Sequence, residues 1–106
     1  MAFLAWSIFV GAAILEVVGD AVVRQGLRGS RLAFIFSGCA MLGCYGIVVN
    51  TVRWDFSRLL GVYVAVFALV SVLFGCFVFK EQVSPATWVG LAVILAGALI
   101  IQLGNK

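Results

Sequence analysis

The chain has 106 residues, of which 65% are apolar and 10% charged, and its mean hydropathy is +1.25. A soluble domain carries about 25% charged residues, so this composition excludes an ordinary water-soluble fold and points to a single integral membrane domain, residues 1–106, with no room for a soluble module. The net charge of +3 is small, and its basic residues cluster between apolar runs as interfacial anchors do, with no sign of a nucleic-acid surface.

The first apolar run, Phe3 to Val23, is 21 residues long. At 1.5 Å rise per residue it makes a helix of roughly 30 Å, enough to cross a bilayer core. No Lys or Arg precedes it and it outlasts a signal-peptide core, so no cleaved leader is expected. The run holds two acids, Glu16 and Asp20. An ionisable group at the centre of a membrane helix costs roughly 2.5–3.5 kcal/mol on insertion scales, and such a residue marks a functional site by default.

The first connection, Arg24 to Arg31, is basic and contains Gly26 and Gly29. The second run, Leu32 to Val52, is uncharged and contains Gly38, Gly43 and Gly46. The connection from Arg53 to Arg58 sets Trp54 among charges, as at a membrane interface. The third run, Leu59 to Phe79, carries small residues at Gly61, Ala65, Ala68, Ser71 and Gly75. After Lys80 and Glu81, Ser84 suits a helix N-cap and Pro85 the first helical position, where no backbone N–H is needed. The last helix carries Gly90 and Gly97, seven residues apart and therefore on one stripe. That stripe serves either packing within one bundle or a subunit interface. The predicted fold is all-α, with four transmembrane helices at about 3–23, 32–52, 59–79 and 85–103 joined by short loops.

Soluble-type catalysis finds no support. There is no histidine, and Cys39, Cys44 and Cys76 lie in apolar runs without paired spacing, so no metal, no cofactor and no enzyme activity is expected. Glu16 and Asp20 are four residues apart and share a helix face, with Ala12, Ala13, Gly19 and Val23 on or beside it. Small neighbours leave room next to the carboxylates. A carboxyl group in low dielectric is harder to ionise, and a second carboxylate nearby makes one of the two harder still. Such a group can hold a proton and release it when a cation arrives. Asp20 stands four residues before Arg24, the favourable order for a helical ion pair, so it is expected to anchor Arg24, with a role as a secondary acid as the alternative. Glu16 has no basic residue within reach on its own helix. Tyr45, Tyr63 and Phe67 are aromatic candidates for a cation site, against the plainer reading of bundle packing.

The segment Gly11-Ala-Ala-Ile-Leu-Glu16-Val-Val-Gly19 resembles the first helix of the small multidrug resistance family, within the drug/metabolite transporter superfamily. The resemblance implies a four-helix, proton-coupled exporter of cations in which Glu16 binds proton and substrate in turn, and in which Ala12 and Gly19 line the pocket. It places Arg24 where the family has a lysine. Phe79-Lys-Glu81 is similar to the family's guanidinium-exporting branch, and Gly90 to Gly97 matches its dimerising glycine heptad. The likeness covers the first 30 residues and the stretch from about Phe79 onward. In the third helix Gly61 stands without the usual proline, Val64 stands at the family's tyrosine position, and Phe67 at its tryptophan position, with Tyr63 one residue away.

The expectation is therefore a multi-pass protein of the bacterial inner membrane that exchanges protons for small or hydrophobic cations of quaternary ammonium or guanidinium type. Glu16 is the coupling residue, Ala12, Gly19, Tyr63 and Phe67 line the substrate, Asp20 is a possible second acid, and Gly90 and Gly97 form the dimer interface. The alternatives are a superfamily transporter of a metabolite or lipid-linked group, and a non-transporting subunit that stabilises a partner. The partners expected are the cation, protons, the bilayer and a second copy, with a heterodimer as the alternative. Orientation follows the Lys/Arg imbalance between loops. Arg53, Arg58 and Lys106 fall on one side, and Arg24, Arg28, Arg31 and Lys80 on the other. Three against four is close to balance, which predicts insertion in both directions and an antiparallel dimer.

Overall fold

The structure, a computed structural model, describes residues 2–104. Lys106, which enters the charge balance above, lies outside the described residues. Four helices make up the chain: α1 (Ala2–Gly29), α2 (Leu32–Val49), α3 (Phe56–Phe77) and α4 (Pro85–Gly104). Each is long and apolar enough to cross a membrane. Among the described residues there is no strand. The helices divide into two compact units, Met1–Val52 and Arg53–Lys106.

In the first unit α1 packs along α2. The helix α1 continues past the apolar run because Arg24, Gln25, Leu27 and Arg28 are all compatible with helix, and nothing stops it before Gly29. The stop is a backbone event. Ser30 takes a left-handed conformation, φ 55°, and the Arg31 N–H donates to the Gly26 carbonyl at 2.9 Å, which closes the end of α1 in a Schellman-type turn. Only Ser30 and Arg31 separate α1 from α2. The helix α2 ends at Val49, three residues short of the uncharged run, because polar side chains take over its last carbonyls. Asn50 Nδ2 donates to the Gly46 carbonyl and Thr51 Oγ1 to the Val48 carbonyl, both at 2.7 Å.

The buried face of α1 runs through Ala5, Phe9, Ala12, Ala13 and Val17, a stripe with helical spacing. The two backbones of this unit approach closely at Gly38. A Cβ on Gly38 would collide with Val23 Cγ2 and would stand 2.8 Å from the Gly19 carbonyl oxygen and the Val23 nitrogen. No side chain fits there, so the contact depends on glycine.

In the second unit α3 packs against α4. The helix α3 begins at Phe56, with the Asp55 carbonyl accepting from the Leu59 N–H at 2.8 Å, and it ends at Phe77. Its end is closed by Phe79 N–H to the Phe74 carbonyl (3.1 Å) and by Glu81 N–H to the Gly75 carbonyl (2.8 Å), with Lys80 left-handed at φ 54°. The helix α4 starts at Pro85, as the sequence predicts, with Ser84 Oγ accepting from the Thr87 N–H at 3.2 Å. Arg58 links the start of α3 to the end of α4: its Nε and Nη2 donate to Gln102 Oε1 at 3.3 and 3.1 Å, and its guanidinium lies 4.0 Å over the Trp54 ring. Large apolar side chains such as Phe36, Ile47, Phe77 and Ile100 stand exposed on these helices, as lipid-facing residues do.

Candidate functional site

Glu16 lies just beyond the middle of α1 and is half-buried. Ala12, one turn before it, is fully buried, and so is Ala13. Gly19 is buried too. Its open side is occupied by α2: a Cβ there would stand 3.1 Å from Leu42 Cδ2 and 3.2 Å from Met41 Cβ. The small residues around Glu16 therefore let α2 come close at the level of the acids. The Gly19 carbonyl also meets Gly38 at a close approach of the two backbones.

Asp20, one turn past Glu16, is exposed, and so is Arg24 one turn further. The expected Asp20–Arg24 ion pair is absent among the described residues, which corrects the reading of Asp20 as an anchor. An exposed i,i+4 pair on a helix stabilises by only about 0.3–0.5 kcal/mol, less than a long arginine side chain loses when it is held in one geometry. The spacing permits the pair without enforcing it.

Of the three aromatic candidates, Tyr45 shares a unit with the acids. It sits half-buried in α2, the helix that packs along α1. Tyr63 and Phe67 belong to α3, where Tyr63 is buried and the two rings stack at 6.4 Å between centroids with an interplanar angle of 29°. The arrangement in the first unit thus sets two carboxylates and a phenol along one helix pair, inside a span. Such a set can exchange a proton for a cation and can place an aromatic ring beside it.

Two features of this unit escape a reading of spacing. Gly38 is one of three glycines in α2, yet it alone makes a close backbone contact, while the space before Gly43 and Gly46 is open. The second is the pairing of Tyr45, already a candidate from the sequence, with the helix of the acids: it needed the packing of α2 along α1, which composition does not carry. On α4, the space in front of both Gly90 and Gly97 is likewise open: nothing lies within 4 Å of where a Cβ would stand. These two glycines therefore do not serve helix packing inside the second unit.

Comparison with known proteins adds a family. Residues 3–106 match the family described as "Uncharacterised BCR, YnfA/UPF0060 family". The chain is 40% identical over 99 residues to a UPF0060 membrane protein of Mycolicibacterium vanbaalenii, covering 90% of each chain. It is 38% identical over 100 residues to one of Saccharopolyspora erythraea, covering 90% of this chain and 88% of the relative. A more distant UPF0060 membrane protein, from Synechocystis, is 27% identical over 99 residues and 92% of each chain. No solved structure matches.

Proposed function

The chain belongs to the YnfA/UPF0060 family of membrane proteins, and from that premise we propose that it is a proton-coupled antiporter of the bacterial inner membrane that exports small or hydrophobic cations. Glu16 holds a proton in one state and the cation in the other. The observation that carries this reading is the position of Glu16: half-buried within a 27-residue apolar span and flanked by buried Ala12 and Gly19. A carboxylate kept at such a depth has a task. The resemblance of Gly11–Gly19 to the first helix of the small multidrug resistance family supports the same assignment. In this reading Asp20 is a second acid, one turn past Glu16 on α1.

The decisive experiment is Glu16→Gln in proteoliposomes under an imposed pH gradient. The variant should insert and assemble as the wild type does, yet lose pH-driven exchange of a labelled quaternary ammonium or guanidinium compound. Adding substrate to the solubilised wild type should release protons, and adding it to the variant should release none. Normal pH-driven exchange by Glu16→Gln would sink the mechanism.

The assembly we propose is a dimer of oppositely inserted copies joined through α4. Its support is the open space before Gly90 and Gly97, together with the near balance of basic residues between the loops. In lipid, bulk on a small-residue stripe separates helices with little apolar gain in return. Gly97→Leu should therefore lower the dimer fraction in crosslinking or mass photometry while leaving membrane insertion intact. An unchanged dimer fraction would remove α4 from the interface.

A further inference from the structure

Where α3 gives way to α4, the second unit holds a pocket of about 290 Å³ whose polar lining is Ser71, Glu81, Gln82, Ser84 and Thr87. Its size lies just below the roughly 300–1,000 Å³ typical of small-molecule sites, so it suits a small ion and not a polyaromatic compound. The chain builds it by reversing at left-handed Lys80 and laying Glu81 back on α3. The Glu81 N–H donates to the Gly75 carbonyl, and Glu81 Oε1 stands 2.5 Å from where a Cβ of residue 75 would be. Gly75 is buried, and only the absence of a side chain there lets the carboxylate come in.

The lining sets a carboxylate among hydroxyl and amide groups, with more acceptor positions than donors. An ionised carboxylate accepts only. Ser71 Oγ spends its hydrogen on the Ala68 carbonyl at 2.9 Å, which leaves its lone pairs free to accept. Ser84 Oγ and Thr87 Oγ1 lie 3.0 Å apart and share one hydrogen. Ser84 Oγ also accepts from the Thr87 N–H, and the pair keeps one hydroxyl hydrogen and free lone pairs. The carboxylate also sits beside the C-terminal carbonyls of α3, the negative end of that helix. Among the described residues Glu81 forms no ion pair, although Lys80 is its neighbour in the chain.

We propose that this pocket binds a small nitrogen cation bearing several N–H donors, held by Glu81 and the serine and threonine oxygens. The site is separate from Glu16 and does not depend on it. A donor-free cation of similar charge lacks the hydrogens that the acceptors require.

The test is a titration of the full chain in lipid nanodiscs, with backbone amide signals followed by NMR and guanidinium and tetramethylammonium as probes. Guanidinium should give saturable shifts at Gly75, Glu81 and Thr87, and tetramethylammonium at equal concentration should give far smaller ones. Glu81→Gln should weaken the guanidinium response roughly tenfold or more, the scale of a lost charged hydrogen bond. Glu16→Gln should leave it unchanged, so the result stands whether or not Glu16 couples transport. Equal responses to the two cations, no saturable shift, or a full response in Glu81→Gln would each overturn the proposal. The comparison of the two cations on the wild-type chain needs no variant and decides the matter even where Glu81→Gln fails to fold.

Discussion

The two helix pairs solve one physical problem differently. In lipid, apolar helices gain nothing by leaving the solvent, and association rests on close van der Waals packing and interhelical hydrogen bonds. The α1–α2 pair uses the first means: its backbones meet at Gly19, Val23 and Gly38, and its turn spans only Ser30 and Arg31. The α3–α4 pair uses the second: Arg58 reaches across to Gln102, and the connection from Val78 to Ser84 is long enough to border an open pocket. The pair that carries acids inside its span is thus the one whose backbones touch. Its partner keeps its polar chemistry at its two ends. Close packing fixes Glu16 and Tyr45 in register, and a looser, hydrogen-bonded hairpin leaves space for a ligand.

The contrast can be broken at three points. The largest effect should follow Gly38→Ala. Its new methyl group meets backbone atoms of α1 at 2.8 Å, and overpacking of this kind destabilises by about 1–3 kcal/mol. Gly43→Ala, with open space before it, should be close to neutral. Unfolding of the purified protein in micelles would compare the two, and equal stability would mean that the pair does not rely on backbone contact. Next comes Gln102→Ala, which removes the acceptor of the Arg58 clamp. Interhelical hydrogen bonds in membranes contribute about 0.6–1.7 kcal/mol. A double-mutant cycle with Arg58→Ala should show coupling of that order, and strict additivity would mean that the clamp is idle. The smallest effect belongs to Asp20→Asn. With no ion pair to lose, it should change stability by less than about 0.5 kcal/mol, equally in wild-type and Arg24→Ala backgrounds. The same variant should retain most transport if Glu16 alone couples proton and cation, and complete loss in a well-folded protein would move Asp20 into the coupling step.

Much of this molecule is legible before any coordinates. Continuous apolar runs of about 20 residues mark the spans, and Ser84 with Pro85 marks the start of α4, because both signals are local chemistry. Helix ends were harder to read. The apolar run through Val52 outlasts α2 because Asn50 and Thr51 turn their side chains back on its carbonyls, and α1 outlasts its own run because Ser30, not charge, ends it. Glu16 was visible as a carboxylate in an apolar span and Tyr45 as an aromatic candidate, whereas their sharing one helix pair depends on how two helices mesh. The pocket at Glu81 was invisible, since it exists only once Lys80 reverses the chain over Gly75.

The unequal lengths of the first two helices bear on the bilayer itself. With 28 residues, α1 is about 42 Å long, and α2 with 18 is about 27 Å. The first exceeds a hydrocarbon core of about 30 Å and the second falls short of it. Its last turns, with Arg24 and Arg28, let α1 absorb the excess by standing among the headgroups. For α2 tilting only shortens its reach, so it relies on the flanking Arg31 and Arg53 snorkelling to the headgroups or on local thinning of the bilayer. A bilayer somewhat thinner than average would ask the least of this hairpin. Reconstitution into vesicles of graded acyl-chain length would register this as a preference for shorter chains.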